Sequence, residues 1–344
     1  MTDIETLVRD NVRKLIPYSC ARDEFKGKEG TFLDANENPY GRLNRYPDPY
    51  HQELRRAISK YKKVPFENIF LGNGSDEVID LCFRIFCNPG TDKALTVYPS
   101  YGMYEVSSAV NDISIIKVPL NNEFQIDTDK VIRTIALDNS IKLIFLCSPN
   151  NPTGNCLNHA DIEKITANFR GIVVLDEAYA DFSRKPSFTQ NIDKYPNLIV
   201  MQTFSKAFGL AAARIGMAFA DEKIINYFYR IKPPYNISTL NQEAALKKLS
   251  DTDAVNKDIE NILAERERLK EKLETLDAVE KIFPSDANFL LVRVKDADYI
   301  YNSLISNKII VRNRTKLVFN CLRITVGTPD ENDELLKALK MIVL

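Results

Sequence analysis

Ile172-Val173-Val174-Leu175-Asp176-Glu177-Ala178-Tyr179 is apolar for four residues and then turns abruptly acidic. A strand with no polar face must be covered on both sides, as in a parallel sheet flanked by helices. Working outward, similar runs recur at Ala94-Leu95-Thr96-Val97, Ile113-Ser114-Ile115-Ile116, Leu143-Ile144-Phe145-Leu146 and Leu198-Ile199-Val200-Met201, with helical patterning between them. The expected fold class is α/β: a large domain with a mostly parallel sheet flanked by helices, joined to a smaller α+β domain. In such sheets ligands gather at the carboxyl ends of the strands, so the loops after these runs are where chemistry is sought.

The smaller unit is read from the rest of the chain. Residues 251–276 form a long, highly charged helical stretch, and beyond it Asn288-Phe289-Leu290-Leu291-Val292, Ile309-Ile310-Val311-Arg312 and Cys321-Leu322-Arg323-Ile324-Thr325-Val326 have strand patterning, with helices expected around 296–306 and 330–342. The expected division is an N-terminal arm or small-domain segment over 1–45, a large cofactor-binding domain over 46–250 and a small C-terminal domain over 251–344.

Composition narrows the function. The chain has 344 residues, 44% hydrophobic and 27% charged, with a formal net charge of −1, so it offers no basic face for nucleic acid or for anionic lipid. No apolar run approaches the roughly 18 residues of a membrane span, and Met1-Thr2-Asp3-Ile4-Glu5-Thr6-Leu7 lacks the apolar centre of a secretory leader. Six cysteines form no C-x-x-C pair, which points to a reducing, cytoplasmic setting and to no metal site. Only His51 and His159 are available, and neither has a catalytic context, so histidine-driven chemistry is not expected.

Four loops carry candidate chemistry. Thr203-Phe204-Ser205-Lys206-Ala207-Phe208-Gly209-Leu210 places an amine among apolar residues; desolvation lowers an amine's pKa and prepares it to form a Schiff base with a carbonyl compound. Gly72-Asn73-Gly74-Ser75-Asp76 opens a helix whose free N–H groups suit a phosphate, and Ser205 and Arg214 are placed to reach one as well. Asp176, at a strand end, suits a protonated pyridine nitrogen, with Tyr179 three residues on. Asn151, in Ser148-Pro149-Asn150-Asn151-Pro152-Thr153-Gly154, has an amide able to bond a ring oxygen, and Tyr101 offers a flat ring for stacking. Each alone is also a helix cap, a core aromatic or a structural turn. Their falling on successive strand ends favours a shared site.

With these motifs in order, the chain resembles the fold-type-I pyridoxal-phosphate aminotransferases, and within them the histidinol-phosphate aminotransferases. N-P-T-G, D-E-A-Y and T-x-S-K-A-F-G-L followed by an arginine carry the wider resemblance. Leu33-Asp34-Ala35-Asn36-Glu37-Asn38-Pro39-Tyr40-Gly41, Asn44-Arg45-Tyr46-Pro47-Asp48-Pro49 and Cys321-Leu322-Arg323-Ile324-Thr325-Val326-Gly327 carry the narrower one. Two departures stand out: Ala212 occupies a position where the family often has glycine, and only ten residues separate Arg312 from Arg323, with Arg314 a rival for the first arginine's role.

The resemblance implies pyridoxal 5'-phosphate as cofactor, Lys206, Asp176 and Tyr179 as catalytic residues, and Lys206 as the amine tethering the cofactor. Asp176 would face the ring nitrogen, Asn151 and Tyr179 the ring hydroxyl, and Tyr101 would stack on the ring. Gly74, Ser75, Asp76, Ser205 and Arg214 would surround the phosphate, together with Tyr46 from the neighbouring subunit of a homodimer. Tyr18, Asn36, Arg312 and Arg323 would bind substrate. The implied reaction passes an amino group between glutamate/2-oxoglutarate and the small anions histidinol phosphate/imidazole acetol phosphate, in histidine biosynthesis. An aromatic or broad-specificity aminotransferase and a decarboxylase of amino-acid phosphates share these cofactor motifs and are the competing expectations. A binding domain that has lost the chemistry would lack the lysine, the aspartate or the phosphate ligands.

Overall fold

The structure, a computed structural model, describes residues 3–18 and 30–343. Its larger sheet has seven strands in the order β1-β7-β6-β5-β4-β2-β3. These are β1 (Ile69–Asn73), β2 (Lys93–Tyr98), β3 (Ser114–Pro119), β4 (Ile141–Cys147), β5 (Ile172–Asp176), β6 (Leu198–Thr203) and β7 (Ile215–Phe219). Every pairing from β3 to β6 is parallel, and β7 runs antiparallel to both β6 and β1. The mostly parallel expectation therefore holds, with one reversed strand. Its cause is the short connection after β6, which is too brief for the dozen or more residues of a crossover and returns the chain beside the strand it has just left.

Both faces of this sheet are covered, and the alternation within each strand shows it. Val173 and Leu175 pack with Ile144, Leu146 and Val200 in one core, while Ile172 and Val174 pack with Leu143, Phe145 and Met201 in another. The second core is closed by the helices Ser75–Phe86 and Glu222–Ile231, and by Ile4, Val8 and Val12 from the described N-terminal turns. That part of the 1–45 segment thus packs on the large sheet.

The smaller sheet is antiparallel, in the order β10-β11-β9-β8, formed by β8 (Val279–Ile282), β9 (Phe289–Val294), β10 (Arg312–Asn313) and β11 (Cys321–Thr325). The helices Ala297–Ser306 and Pro329–Val343 cover it, sharing a core through Ile300, Leu304, Leu335 and Leu339. The strand expected over 309–312 contracts to Arg312–Asn313, because Ile310 is turned out to solvent, 74% exposed, and gives the ladder no apolar anchor.

The helix Thr252–Glu274 joins the two units physically. Its Val255 lies in the core of the large sheet and its Leu269 and Leu273 in that of the small one. Phe289, the first residue of the central strand β9, is also in the large-sheet core and meets the Tyr179 ring edge-on, so this end of the small sheet is held against the loop after β5. Among the described residues no helix is long and apolar enough to cross a membrane.

Candidate active site

The carboxyl ends of β4, β5 and β6 and the start of the helix Ser75–Phe86 surround a cavity of about 450 Å³, closed on one side by the small sheet. Ser75, Asp76, Tyr101, Asn151, Asp176, Tyr179, Ser205, Lys206, Arg214, Arg312 and Arg323 all line it. Cys147, Thr203 and Arg314 line it too.

Asp176 and Glu177 are adjacent, both buried, and used differently. Strand geometry sends neighbouring side chains to opposite sides. Glu177 turns away from the cavity and accepts from Ser187 Oγ (2.5 Å), the Phe188 N–H (2.8 Å) and Gln202 Nε2 (2.9 Å), which satisfies it as a structural acid. Asp176 lines the cavity, where its Oδ2 accepts from the Tyr104 hydroxyl at 2.7 Å and its Oδ1 from the Ala178 N–H at 3.0 Å. Burial pushes its pKa up, opposed first by the Tyr104 bond and then by the Ala178 bond. It forms no ion pair with a described residue, and the one cation that acts on it across the cavity, Lys206, does so more weakly than either hydrogen bond. A protonated ring nitrogen is the partner such a group calls for.

Lys206 is half-buried, its Nζ 5.6 Å from the centre of the Tyr179 ring. Burial lowers its pKa, and the nearby Arg323 guanidinium lowers it further, against the opposing pull of Asp176 and Asp76. The amine is thereby more readily neutral than a solvated lysine. Of the two neighbouring asparagines, Asn150 is consumed by the loop, with Nδ2 donating to the Pro99 carbonyl (2.9 Å) and Thr153 Oγ1 (2.8 Å). Asn151 accepts from Arg323 Nη1 at 2.6 Å through Oδ1, which orients its Nδ2 donors for another acceptor.

At the opposite end, the turn before the helix Ser75–Phe86 is pressed against β7. Gly74 has φ +76°, a conformation suited to glycine, and a Cβ there would meet the Arg214 guanidinium. A Cβ on Gly216 would strike the Gly74–Ser75 backbone, so both glycines are required for the helix start to reach the cavity. The Asp76 carboxylate is engaged by the Tyr101 hydroxyl (3.2 Å) and Arg214 Nη2 (3.4 Å). A carboxylate repels an anion, so what Asp76 can offer a phosphate is its N–H at the helix start.

The small sheet contributes three guanidinium groups. Arg312 is paired with Arg323 across β10 and β11, and Arg314 lies two residues on, toward the same side. None of the three has a carboxylate partner among the described residues, and the Nε atoms of Arg314 and Arg323 are buried without a hydrogen-bond acceptor. Burial, then the charges of Arg323 and Arg312, push the Arg314 pKa down to about 10. This crowding of like charge is relieved by an anion.

Three residues expected at the site lie elsewhere in the chain. Asn36 and Tyr46 line a second cavity of about 480 Å³ with Ser238 and Leu240, and the Tyr46 ring stacks on Tyr235 at 4.4 Å. Tyr18 is exposed and borders a small cleft with Tyr50 and Tyr229. Sequence reasoning missed Tyr104, which lies in the first turn of the helix Met103–Val110 and carries no local signal that separates it from a core aromatic, and left Arg314 as a rival.

The family model for class I and II aminotransferases matches residues 27–339. A histidinol-phosphate aminotransferase of Bacteroides thetaiotaomicron is 52% identical over 344 residues, covering 99% of each chain. Among solved structures, the histidinol-phosphate aminotransferase from Clostridium acetobutylicum superposes with a TM-score of 0.79 at 26% identity, over 87% of this chain and 91% of that one. The fold is shared with that of Sinorhizobium meliloti in complex with pyridoxal-5'-phosphate (TM-score 0.80, 24% identity, 90% and 89% covered).

Proposed function

Because the chain belongs to the class I and II aminotransferases, we propose that it transfers the amino group of glutamate to imidazole acetol phosphate, giving histidinol phosphate and 2-oxoglutarate in histidine biosynthesis. The observation that carries this reading is full-length identity of 52% to a histidinol-phosphate aminotransferase. The cavity agrees with it: one lysine and one buried carboxylate stand beside three unpaired arginines, in a site shaped for anionic substrates.

The residues fit pyridoxal 5'-phosphate, the cofactor of this family. When bound, it supplies an aldehyde for amine exchange and a ring that accepts electrons from the carbon bearing the transferred nitrogen. Asp176 holds the ring nitrogen protonated by presenting a buried negative charge. Asn151 Nδ2 and the Tyr179 hydroxyl would donate to the ring oxygen, and Tyr101 would lie against the ring. The N–H groups of Ser75 and Asp76, the Ser205 hydroxyl and Arg214 take the phosphate. Lys206 Nζ would tether the cofactor's aldehyde and, when free, would act as the base that accepts the donor Cα proton and delivers it to the cofactor's side of the transferred nitrogen. Arg312 and Arg323 orient the anionic groups of either substrate, with planar forks that suit carboxylate and phosphate alike.

In this reading the enzyme is a cytoplasmic homodimer, and Tyr46 reaches the phosphate bound in the neighbouring subunit. The position of Tyr46 outside its own cavity supports that arrangement. Tyr18 and Asn36 likewise belong to the substrate side of the assembled site.

The test is an absorbance spectrum of the purified protein followed by titration with histidinol phosphate and 2-oxoglutarate. Visible absorbance that is lost on adding histidinol phosphate and restored by 2-oxoglutarate is expected. Amination of phenylpyruvate in preference to the phosphate ester would reassign the substrate, and carbon dioxide release from threonine phosphate would reassign the reaction. Lys206→Ala should fold and lose turnover by about 10²- to 10⁴-fold.

A further inference from the structure

We propose that Tyr104, outside the set of residues that touch cofactor or substrate, is a positioning residue for the amino transfer, its hydroxyl fixing the Asp176 carboxylate against the place of the ring nitrogen. This rests on the assignment of Asp176 given above.

Tyr104 is fully buried in the first turn of the helix Met103–Val110. Its ring stacks on Phe145 of β4, with centroids 4.9 Å apart and planes inclined by 21°, and meets Tyr101 edge-on at 5.6 Å. Held on two sides, the ring delivers its hydroxyl to Asp176 Oδ2 at 2.7 Å. The same side chain therefore braces the ring expected to stack on the cofactor and the acid expected to hold its nitrogen. No aliphatic core residue in that place could do the second task.

The bond matters because Asp176 has few other supports. Its other donor is the Ala178 N–H; the charges facing it are Lys206 from the loop after β6, which favours its ionised form, and Asp76 from the helix start, which opposes it. Tyr101 and Cys147 lie alongside and are uncharged, with ionisation pushed well up by burial. The Tyr104 phenol is itself held protonated by burial and by Asp176, so it remains a donor at working pH. Without it, Oδ2 becomes a buried acceptor with no partner and Asp176 becomes more basic. A proton shared between Asp176 and a bound cofactor's ring nitrogen would then shift toward the acid, the ring would carry less positive charge, and its remaining basic group would titrate at higher pH.

The experiment compares holoenzyme of wild type, Tyr104→Phe, Asp176→Asn and the double variant. Phe keeps both ring contacts and removes only the hydroxyl. The pH midpoint of the cofactor's visible absorbance should rise by about one unit in Y104F, the size of one hydrogen bond to a charged group. kcat should fall about 10-fold with KM for glutamate little changed, and apoprotein melting should move only slightly. In the D176N background, Y104F should add no further shift in midpoint, because the hydroxyl acts through that carboxylate. A purely structural tyrosine would lower the melting temperature and leave the midpoint where it was, which overturns the proposal. A D176N protein with an unshifted midpoint would instead overturn the Asp176 assignment beneath it.

Discussion

Arg314 is a residue whose local chemistry asks for something the chain does not supply. Its buried Nε has no acceptor, the guanidinium groups of Arg312 and Arg323 crowd it within a cavity that Arg214 also lines, and no described carboxylate pairs with it. A dianionic phosphate repays such crowding better than a single carboxylate. Arg314→Gln should therefore raise KM for histidinol phosphate about 10-fold, the loss of one charge-assisted hydrogen bond, and raise KM for a monoanionic amino acid far less. Steady-state kinetics on both substrates decide it; equal changes would place Arg314 outside the phosphate's reach. His51 makes a different kind of prediction. It is fully buried, and desolvation, then Lys232 and Arg55, lower its pKa from 6.5 to about 3 against a weaker opposing pull from the Asn236 side chain. Between those values the unfolded chain takes up a proton that the folded chain refuses, so its contribution to stability is present above pH 6.5 and is lost as pH falls. Denaturant unfolding of wild type should weaken by up to about 1.4 kcal/mol per pH unit from this group below pH 6, and His51→Gln should have a correspondingly shallower slope. Superimposable slopes would refute it.

At the scale of elements, the strand–loop–helix joints were the legible part of the sequence, because a fully apolar strand ending in a polar residue carries its own boundary. Ile172–Asp176 and Leu198–Thr203 were readable in that way, and so was the glycine turn before the helix at Ser75. β7 was not, since Ile215-Gly216-Met217-Ala218-Phe219 follows the lysine loop without a helix to set it apart. β8 was obscured by the charged pair in Val279-Glu280-Lys281-Ile282, which lies half in solvent. Tyr104 was hidden for a related reason: an aromatic on the buried face of an amphipathic helix reads as core, and only its contact with Asp176 separates it from one. β7 has a functional consequence through Gly216, which lets the turn at Gly74 approach. Gly216→Ala should displace the helix start proposed to hold the phosphate, cost about 1–3 kcal/mol of stability as overpacking does, and speed cofactor loss on dialysis. A variant that melts and retains cofactor like wild type would show the turn to be compliant.

The whole molecule rests its site on a rigid sheet and, in the proposed dimer, on a second copy. The large sheet presents Asp176, Asn151 and Lys206 from consecutive strand ends, and the small sheet, tied to it by the helix Thr252–Glu274, brings the arginines over them. What one chain does not bring to this cavity is Tyr46, Asn36 and Tyr18, which sequence motifs alone placed at the site. No pattern within a single chain reveals which surface a second copy covers, and so this part of the site was legible only through resemblance. If Tyr46 donates its hydroxyl to a phosphate held by the other subunit, its loss weakens cofactor retention in proportion to one hydrogen bond with a charged acceptor, about 10-fold or more in Kd. Tyr46→Phe should keep the ring stacked on Tyr235, remain dimeric in sedimentation, and release cofactor faster on prolonged dialysis. Mixing it with a Lys206→Ala protein gives the sharper result. In the hybrid dimer, the site built from the intact Lys206 of one subunit and the intact Tyr46 of the other carries neither defect, so activity at limiting cofactor should rise above that of the two variants on subunit exchange. Activity that stays at the sum of the two separate variants would mean that each chain completes its own site.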